Sequence, residues 1–196
     1  MRNRTLTAWL LAALMFSTMA VSTAWSSAKS SANSAQSQDA TKRMQERIER
    51  EVFHELIMLP QMTIFDHLAF KVDGSSVTLL GQVRNAILKD GAERAVKHIE
   101  GVETVKNEIE ILPASPNDDR IRRRVARAIF RDDRLFRYSL ASVPSIHILV
   151  KGGHVTLKGA VDSQGDKDAA GLRANGVPGI FSVENELEVT GSGTKK

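Results

Sequence analysis

The chain has no cysteine. That excludes disulfides, thiolate nucleophiles and cysteine-based zinc sites together, and with them the acylated cysteine that anchors a bacterial lipoprotein. Aromatic residues are scarce, 5% of the chain with a single tyrosine. Any hydrophobic core is therefore thin, and a module of about 70 residues stands near the lower limit of independent stability. Beyond the N-terminal region there is no run approaching the roughly 20 apolar residues that span a bilayer. A strong net charge is missing too. The formal value is +4, and Arg2 and Arg4 fall in a segment expected to be removed, so what matters is where charges cluster.

That segment reads as a secretory signal over residues 1–24. Arg2 and Arg4 give a positive start, Trp9 to Phe16 an apolar stretch, and Ser22-Thr23-Ala24 a cleavage site after Ala24, with Ala28 as the second option. Residues 25–40 are polar and low in complexity. They cannot bury enough apolar surface to offset the entropy of ordering, which predicts a flexible tether.

The informative feature is a repeat. Shifted by 78 positions (150 − 72), residues 72–111 align with 150–189 without a gap, and fifteen of the forty positions are identical. Val77-Thr78-Leu79 matches Val155-Thr156-Leu157, and Gly74, Gly81 and Val83 match Gly152, Gly159 and Val161. Gly101, Val105, Asn107 and Glu108 match Gly179, Val183, Asn185 and Glu186.

Each copy has the same local grammar. Leu68, Phe70 and Val72, like Ile146, Ile148 and Val150, alternate as strands do. The turns Asp73-Gly74-Ser75-Ser76 and Lys151-Gly152-Gly153-His154 follow, and then a returning strand whose glycine, Gly81 or Gly159, signals a close backbone approach or a bulge. Leu88, Ala92, Ala95, Val96 and Ile99 form one face of a helix in the first copy. In the second, Ala169, Ala170, Leu172 and Ala174 do so among Gly165, Gly171 and Gly176, which predicts a shorter or looser helix. A last strand carries Val105, Asn107, Ile109 and Ile111 on one side. Upstream, Met44, Ile48, Val52 and Leu56 mark a leading helix, as do Ile121, Val125 and Ile129, with Asn117 placed to cap the second and Asp118 and Asp119 in its first turn. The unit is α-β-β-α-β, over 41–112 and again over 117–190, joined by Pro113-Ala114-Ser115-Pro116. The connection from leading helix to first strand is about five residues longer in the second copy. Residues 191–196 read as a disordered tail.

A turn glycine, Val-Thr-Leu-x-Gly-x-Val, a helix, and Gly-Val-x-x-Val-x-Asn-x-Ile/Leu-x-Val resemble the BON domain. The pattern is complete twice, from Gly74 to Ile111 and from Gly152 to Val189. The resemblance implies an α+β fold of two tandem modules, each a three-stranded mixed sheet packed by two helices. It makes Gly74, Gly81, Gly101, Asn107, Gly152, Gly159, Gly179 and Asn185 structural motif positions. It also implies a periplasmic or membrane-peripheral protein, soluble after signal cleavage, tied to envelope integrity, osmotic stress and phospholipid binding, with no cofactor and no catalytic site.

Charge is uneven between the two leading helices. Basic and acidic residues balance from Lys42 to Leu59, whereas Arg120 to Arg131 holds six arginines and no acid. Arg120, Arg123, Arg124, Arg127, Arg131 and Arg134 recur at three- and four-residue steps and share a face. Guanidinium groups suit phosphate because each donates a planar pair of hydrogen bonds, so in the family's setting this row reads as a contact for anionic phospholipid. Phe130, Leu135, Phe136 and Tyr138, at the helix end, would meet the acyl boundary. The competing partner class is other envelope proteins, bound chaperone-fashion along an open sheet edge. Nucleic acid fits poorly, for there is no Gly-x-x-Gly loop between helices and no aromatic sheet face. The histidines show no metal-ligand spacing, and no Gly-x-Ser-x-Gly elbow points to a hydrolase.

Overall fold

The computed structural model describes residues 23–140 and 144–191, with side chains from residue 38 onward. Most of the export signal, and residues 192–196 of the tail, lie outside the described residues. The chain divides into two units, Met1–Lys42 and Arg43–Lys196, and the second contains both repeats. Helix α1 runs unbroken over Thr23–Ile57, so the stretch 25–40 is helical and not an irregular tether. The physical reason is compositional: that stretch contains neither glycine nor proline, the two residues that interrupt a helix most strongly.

In the first repeat α1 is followed by β1 (His67–Asp73), β2 (Ser76–Val83), α2 (Ala86–Lys97), β3 (Thr104–Asn107) and β4 (Glu110–Ile111). The second repeat has α3 (Pro116–Phe130), a 3₁₀ turn at Phe136–Ser139, β5 (Ile146–Lys151), β6 (His154–Val161), α4 (Gln164–Asn175), β7 (Ser182–Asn185) and β8 (Glu188–Val189). In each sheet the returning strand is central. β2 pairs antiparallel with β1 and parallel with β3 and β4, and β6 does the same with β5, β7 and β8. Cross-strand partners share a face. Leu68, Phe70 and Val72, opposite Gly81, Leu79 and Val77, therefore join Val83 on the side covered by Ile48, Val52 and Leu56 of α1 and by Leu88, Ala92 and Val96 of α2. A second, separate core repeats the plan with Ile121, Val125 and Ile129 over Ile148, Val150, Val155 and Leu157. The chain is α+β, two modules in tandem with a mixed sheet in each.

Several local expectations are corrected. The last strand is broken after Asn107 and again after Asn185, which turns Ile109 and Leu187 into the cores at 1% exposure and leaves Ile111 and Val189 pointing outward at 45% and 43%. The alternation that places Ile109 and Ile111 on one side does not survive that break. Helix α4 has 12 residues, as does α2. It is not shortened, because Ser163 caps it by accepting from the Asp166 amide at 3.2 Å and because Gly171 answers a packing need: a Cβ there would stand 2.8 Å from Asn185 Nδ2. Leu172 faces solvent and takes no part in a buried face. The cap of α3 is Ser115, bonded to the Asp118 amide at 3.2 Å. With Pro116 at the first helical position, Asn117 lies inside the first turn.

The repeats meet on the helix-free sides of β1 and β5, along the outer edge of β5 and at the start of α3. His67 and His147 stack with ring centroids 5.4 Å apart, and Lys151 reaches Glu110 at 2.5 Å. The Ile148 amide donates to the Ile64 carbonyl at 2.7 Å. Ile64 and Phe65 pack against the second core, and Arg84 pairs with Asp119 at 3.2 Å. This accounts for β5, in which every residue from Ile146 to Val150 is buried although alternate residues face opposite sides.

Candidate functional site

Helix α3 is amphipathic. Ile121, Val125 and Ile129 enter the core at 2% exposure or less, and the opposite side carries Arg120, Arg123, Arg124, Arg127 and Arg131, all exposed. At 100° per residue these five arginines lie within an arc of about 100°. Arg134 lies in the turn beyond the helix and is exposed as well. Three of the six are lightly tethered: Arg120 donates to Asn117 Oδ1 at 3.2 Å, Arg124 to the Pro178 carbonyl at 3.4 Å and Arg134 to the Gly165 carbonyl at 3.4 Å. None of the six forms an ion pair among the described residues, whereas Arg137, Arg173, Lys151 and Lys158 each hold a carboxylate.

The neighbouring arginine behaves in the opposite way. Arg122 is 2% exposed and reaches across the sheet to the Val150 carbonyl at 2.5 Å while pairing with Asp119 at 2.7 Å. Asp118, one turn earlier, accepts the amides of Gly152 and Gly153 at 2.9 Å each. These two side chains lock the second hairpin onto α3 and so fix the direction in which the arginine face looks. The sequence places Asp118 in the first turn of the helix but does not single out Arg122, because a buried arginine amid exposed ones differs only in phase: Arg122 follows Ile121 directly and precedes Val125 by three.

The apolar residues after α3 are divided. Leu135 and Tyr138 are buried at 0% and 7%, and Phe130 packs against the core, so these three are structural and do not face an acyl boundary. Phe136 and Leu140 are exposed at 51% and 69%. Tyr138 Oη accepts the Asp162 amide at 2.8 Å and donates to Asp166 at 3.0 Å, and burial pushes its phenol pKa up. Burial alone would raise the Asp166 carboxyl as well, but the Ser163 and Tyr138 hydroxyls and the Arg137 charge outweigh it and hold that pKa below the ordinary value. Asp132 is held below its ordinary value by its bond to Arg173 at 2.8 Å. The long connection is thus stitched to both ends of α4.

The motif positions are architectural. Gly74 and Gly152 take positive φ in the hairpins, as Gly101 and Gly179 do after the helices. Asn107 donates to the Lys89 carbonyl at 3.1 Å and accepts the Ile109 amide at 3.2 Å. Asn185 repeats this with Lys167 at 2.7 Å and Leu187 at 3.4 Å. Each asparagine ties its helix to the strand break. Gly81 and Gly159 sit where a Cβ would run into the carbonyl oxygens of His67 and Ser145. Among the described residues no group of three or more metal-ligating side chains converges, and no helix is long and apolar enough to cross a membrane.

A duplicated α-β-β-α-β unit with this glycine and asparagine framework defines a class of small α+β modules. The chain belongs to the BON domain family, whose model matches residues 46–113 and 117–191. It is similar to osmotically-inducible protein Y of Escherichia coli (strain K12), with 30% identity over 130 residues, 62% of this chain and 61% of that protein. The match thus spans about three-fifths of the relative's length. Two solved structures also align. One is the C-terminal domain of CdsD, the structural protein of the type III secretion system of Chlamydia trachomatis (12% identity, TM-score 0.29, covering 71% of this chain and 96% of that one). The other is a further CdsD structure (14%, TM-score 0.27, covering 75% and 94%).

Proposed function

We propose that this is a non-catalytic periplasmic protein of envelope maintenance or osmotic stress, whose second BON repeat rests on anionic phospholipid through the arginine face of α3. The observation that carries this reading is the contrast in pairing: Arg123, Arg127 and Arg131 have no partner among the described residues, on a helix whose other side is fully committed to the core. An unpaired basic residue near an anionic leaflet gains about 1 kcal/mol. Five or six together give reversible peripheral binding, well short of a membrane span. Phe136 and Leu140, exposed just beyond the helix, supply apolar contact at the headgroup boundary. Leu172, which by the register of the repeat stands at the place of Arg94, is a further exposed apolar side chain of this repeat, at 73%. Kinship with a protein named for osmotic induction supports the stress setting.

The adaptor reading has less behind it. The outer edge of β5 is already engaged by Ile64. Of the remaining edges, β3 and β7 are four residues long and expose Thr104 and Lys106, Ser182 and Glu184, short polar edges of the kind that resist strand addition. The third, β1, has seven residues, and its Val72 carbonyl is taken by the Gln45 side chain at 3.2 Å.

Co-sedimentation with liposomes of phosphatidylglycerol and phosphatidylcholine tests the proposal. The protein is expected to bind the anionic vesicles at low salt, to release at 0.5 M NaCl by screening (about 4 Å Debye length at that strength), and to lose binding in the Arg123→Glu/Arg127→Glu double variant. Equal binding by variant and wild type overturns it. Suppression of client aggregation with no vesicle binding would favour the adaptor reading.

A further inference from the structure

The first repeat has a cleft that the second has closed. Between α1 and α2 lies a groove of about 970 Å³, at the upper end of the volumes that hold small ligands. Its floor is apolar, with Leu59, Ile87, Leu88, Ala95 and Ile99, and Ile87 is left 55% exposed. In the second repeat α3 packs directly on α4, and the longer connection seals the same place. Asp132 bonds Arg173, Arg134 the Gly165 carbonyl, and Arg137 with Tyr138 the Asp166 carboxylate. Asp166 stands where the first repeat has Leu88. A site that the second copy fills with its own chain and ion pairs is therefore open in the first, with an apolar floor and a charged rim.

The charges around the groove balance in number but are unevenly paired. Glu51 and Glu100 are engaged by Arg47 at 4.0 and 3.4 Å. Arg47 is thus shared between two carboxylates, and Glu55 is in no ion pair among the described residues. Arg50 on the α1 wall and Arg94 on the α2 wall also stand outside any ion pair among those residues, Arg94 donating to the Asp90 carbonyl at 3.3 Å, with His54 and His98 beside them. An apolar floor with one guanidinium outside any ion pair on each wall suits a molecule with a hydrocarbon body and one anionic end that those two groups can hold. We infer that this groove binds a single-chain anionic amphiphile, a long-chain carboxylate, one per protein, with its tail along the floor and its head between Arg50 and Arg94. This is a site for an individual molecule in the first repeat, separate from the membrane-facing arginines of the second and independent of them.

Dodecanoate below its micellar concentration, titrated into the isotope-labelled protein and followed by NMR, tests the inference. Saturable one-to-one shifts centred on Leu59, Ile87, Gly91 and Ile99 are expected. Arg50→Glu/Arg94→Glu should weaken binding at least about tenfold, as loss and reversal of two cationic contacts requires. Gly91→Leu should abolish it by filling the groove. A Cβ at Gly91 meets only Leu59 Cδ2, at 3.7 Å, and leucine is the better helix former, so this variant keeps its fold, checked by its thermal midpoint. Arg123→Glu/Arg127→Glu should bind dodecanoate as the wild type does, whatever its behaviour with vesicles. Equal affinity for dodecyltrimethylammonium, binding that survives Gly91→Leu, or a hydrophobic peptide that occupies the groove where dodecanoate does not, would each overturn the assignment.

Discussion

Gly81 and Gly159 mark the tightest place in each repeat. Their φ values are +119° and +110°, and each faces a backbone carbonyl of the preceding strand or loop, which cannot retreat without breaking the sheet. Strain of this kind costs about 1–3 kcal/mol before any collision is counted. Gly159→Ala is therefore expected to lower stability by at least about 2 kcal/mol, read from urea unfolding. Asp166 offers a second test. Because its pKa is depressed in the folded chain, it contributes stability above the unfolded carboxyl value, and that contribution is lost as pH falls through the lower folded value. Asp166→Asn should be less stable than the parent near pH 7, and the difference should shrink towards pH 2. If the two proteins differ equally at both pH values, the ion pair with Arg137 is not what holds the long connection in place.

At the scale of elements, the two leading helices do different work from the same position. With Ile48, Val52 and Leu56 matched to Ile121, Val125 and Ile129, Arg50 and His54 of α1 correspond to Arg123 and Arg127 of α3. One set borders the groove and the other faces outward as a charged surface. Substituting Arg122→Ala, which removes the bridge from Asp119 to the Val150 carbonyl, is expected to destabilise the second repeat by about 2–4 kcal/mol, since a buried charge pair is broken and a carbonyl left unpaired. Exposed Arg123→Ala should change stability by less than about 0.5 kcal/mol. Urea unfolding of both variants separates the structural arginine from the surface ones. The repeat, the order of elements and the arginine face were legible in the sequence because each depends on spacing that local geometry preserves. The break after Asn107, the cap at Ser115 and the burial of Arg122 were not. The first and last are decided by partners distant along the chain, the Leu79 carbonyl for Glu108 and the Val150 carbonyl for Arg122. The cap is local, Ser115 bonding the Asp118 amide three residues on, and was obscured because Asn117 is an equally good capping residue type. The longer connection was visible as extra residues between leading helix and first strand in the second copy, but nothing local in Leu135-Phe136-Arg137-Tyr138 tells that it folds back to satisfy Asp166.

Across the whole molecule, the contact between repeats contains two imidazoles that burial keeps neutral. The His67 pKa is lowered from 6.5 to about 4, by burial first, then by His147 and Lys158, with Glu186 opposing. His147 is lowered by burial, with Asp66 opposing. A depressed imidazole binds protons less readily in the folded chain than in the unfolded one. The contact is therefore at full strength above about pH 6.5 and weakens as pH falls towards 4. Urea midpoints measured across that range should decline more steeply for the wild type than for His67→Gln/His147→Gln. Parallel curves would show that other groups govern the decline.

The bond from the Ile148 amide to the Ile64 carbonyl has a consequence for anyone who cuts the chain in two. Severed near Pro113, the C-terminal half would present β5 as a bare ribbon of Ile-His-Ile-Leu-Val, a template on which another copy could grow. Such a fragment should pair with itself at concentrations where the intact protein does not, because its upstream neighbour acts as a built-in selvedge that keeps the weave from running on.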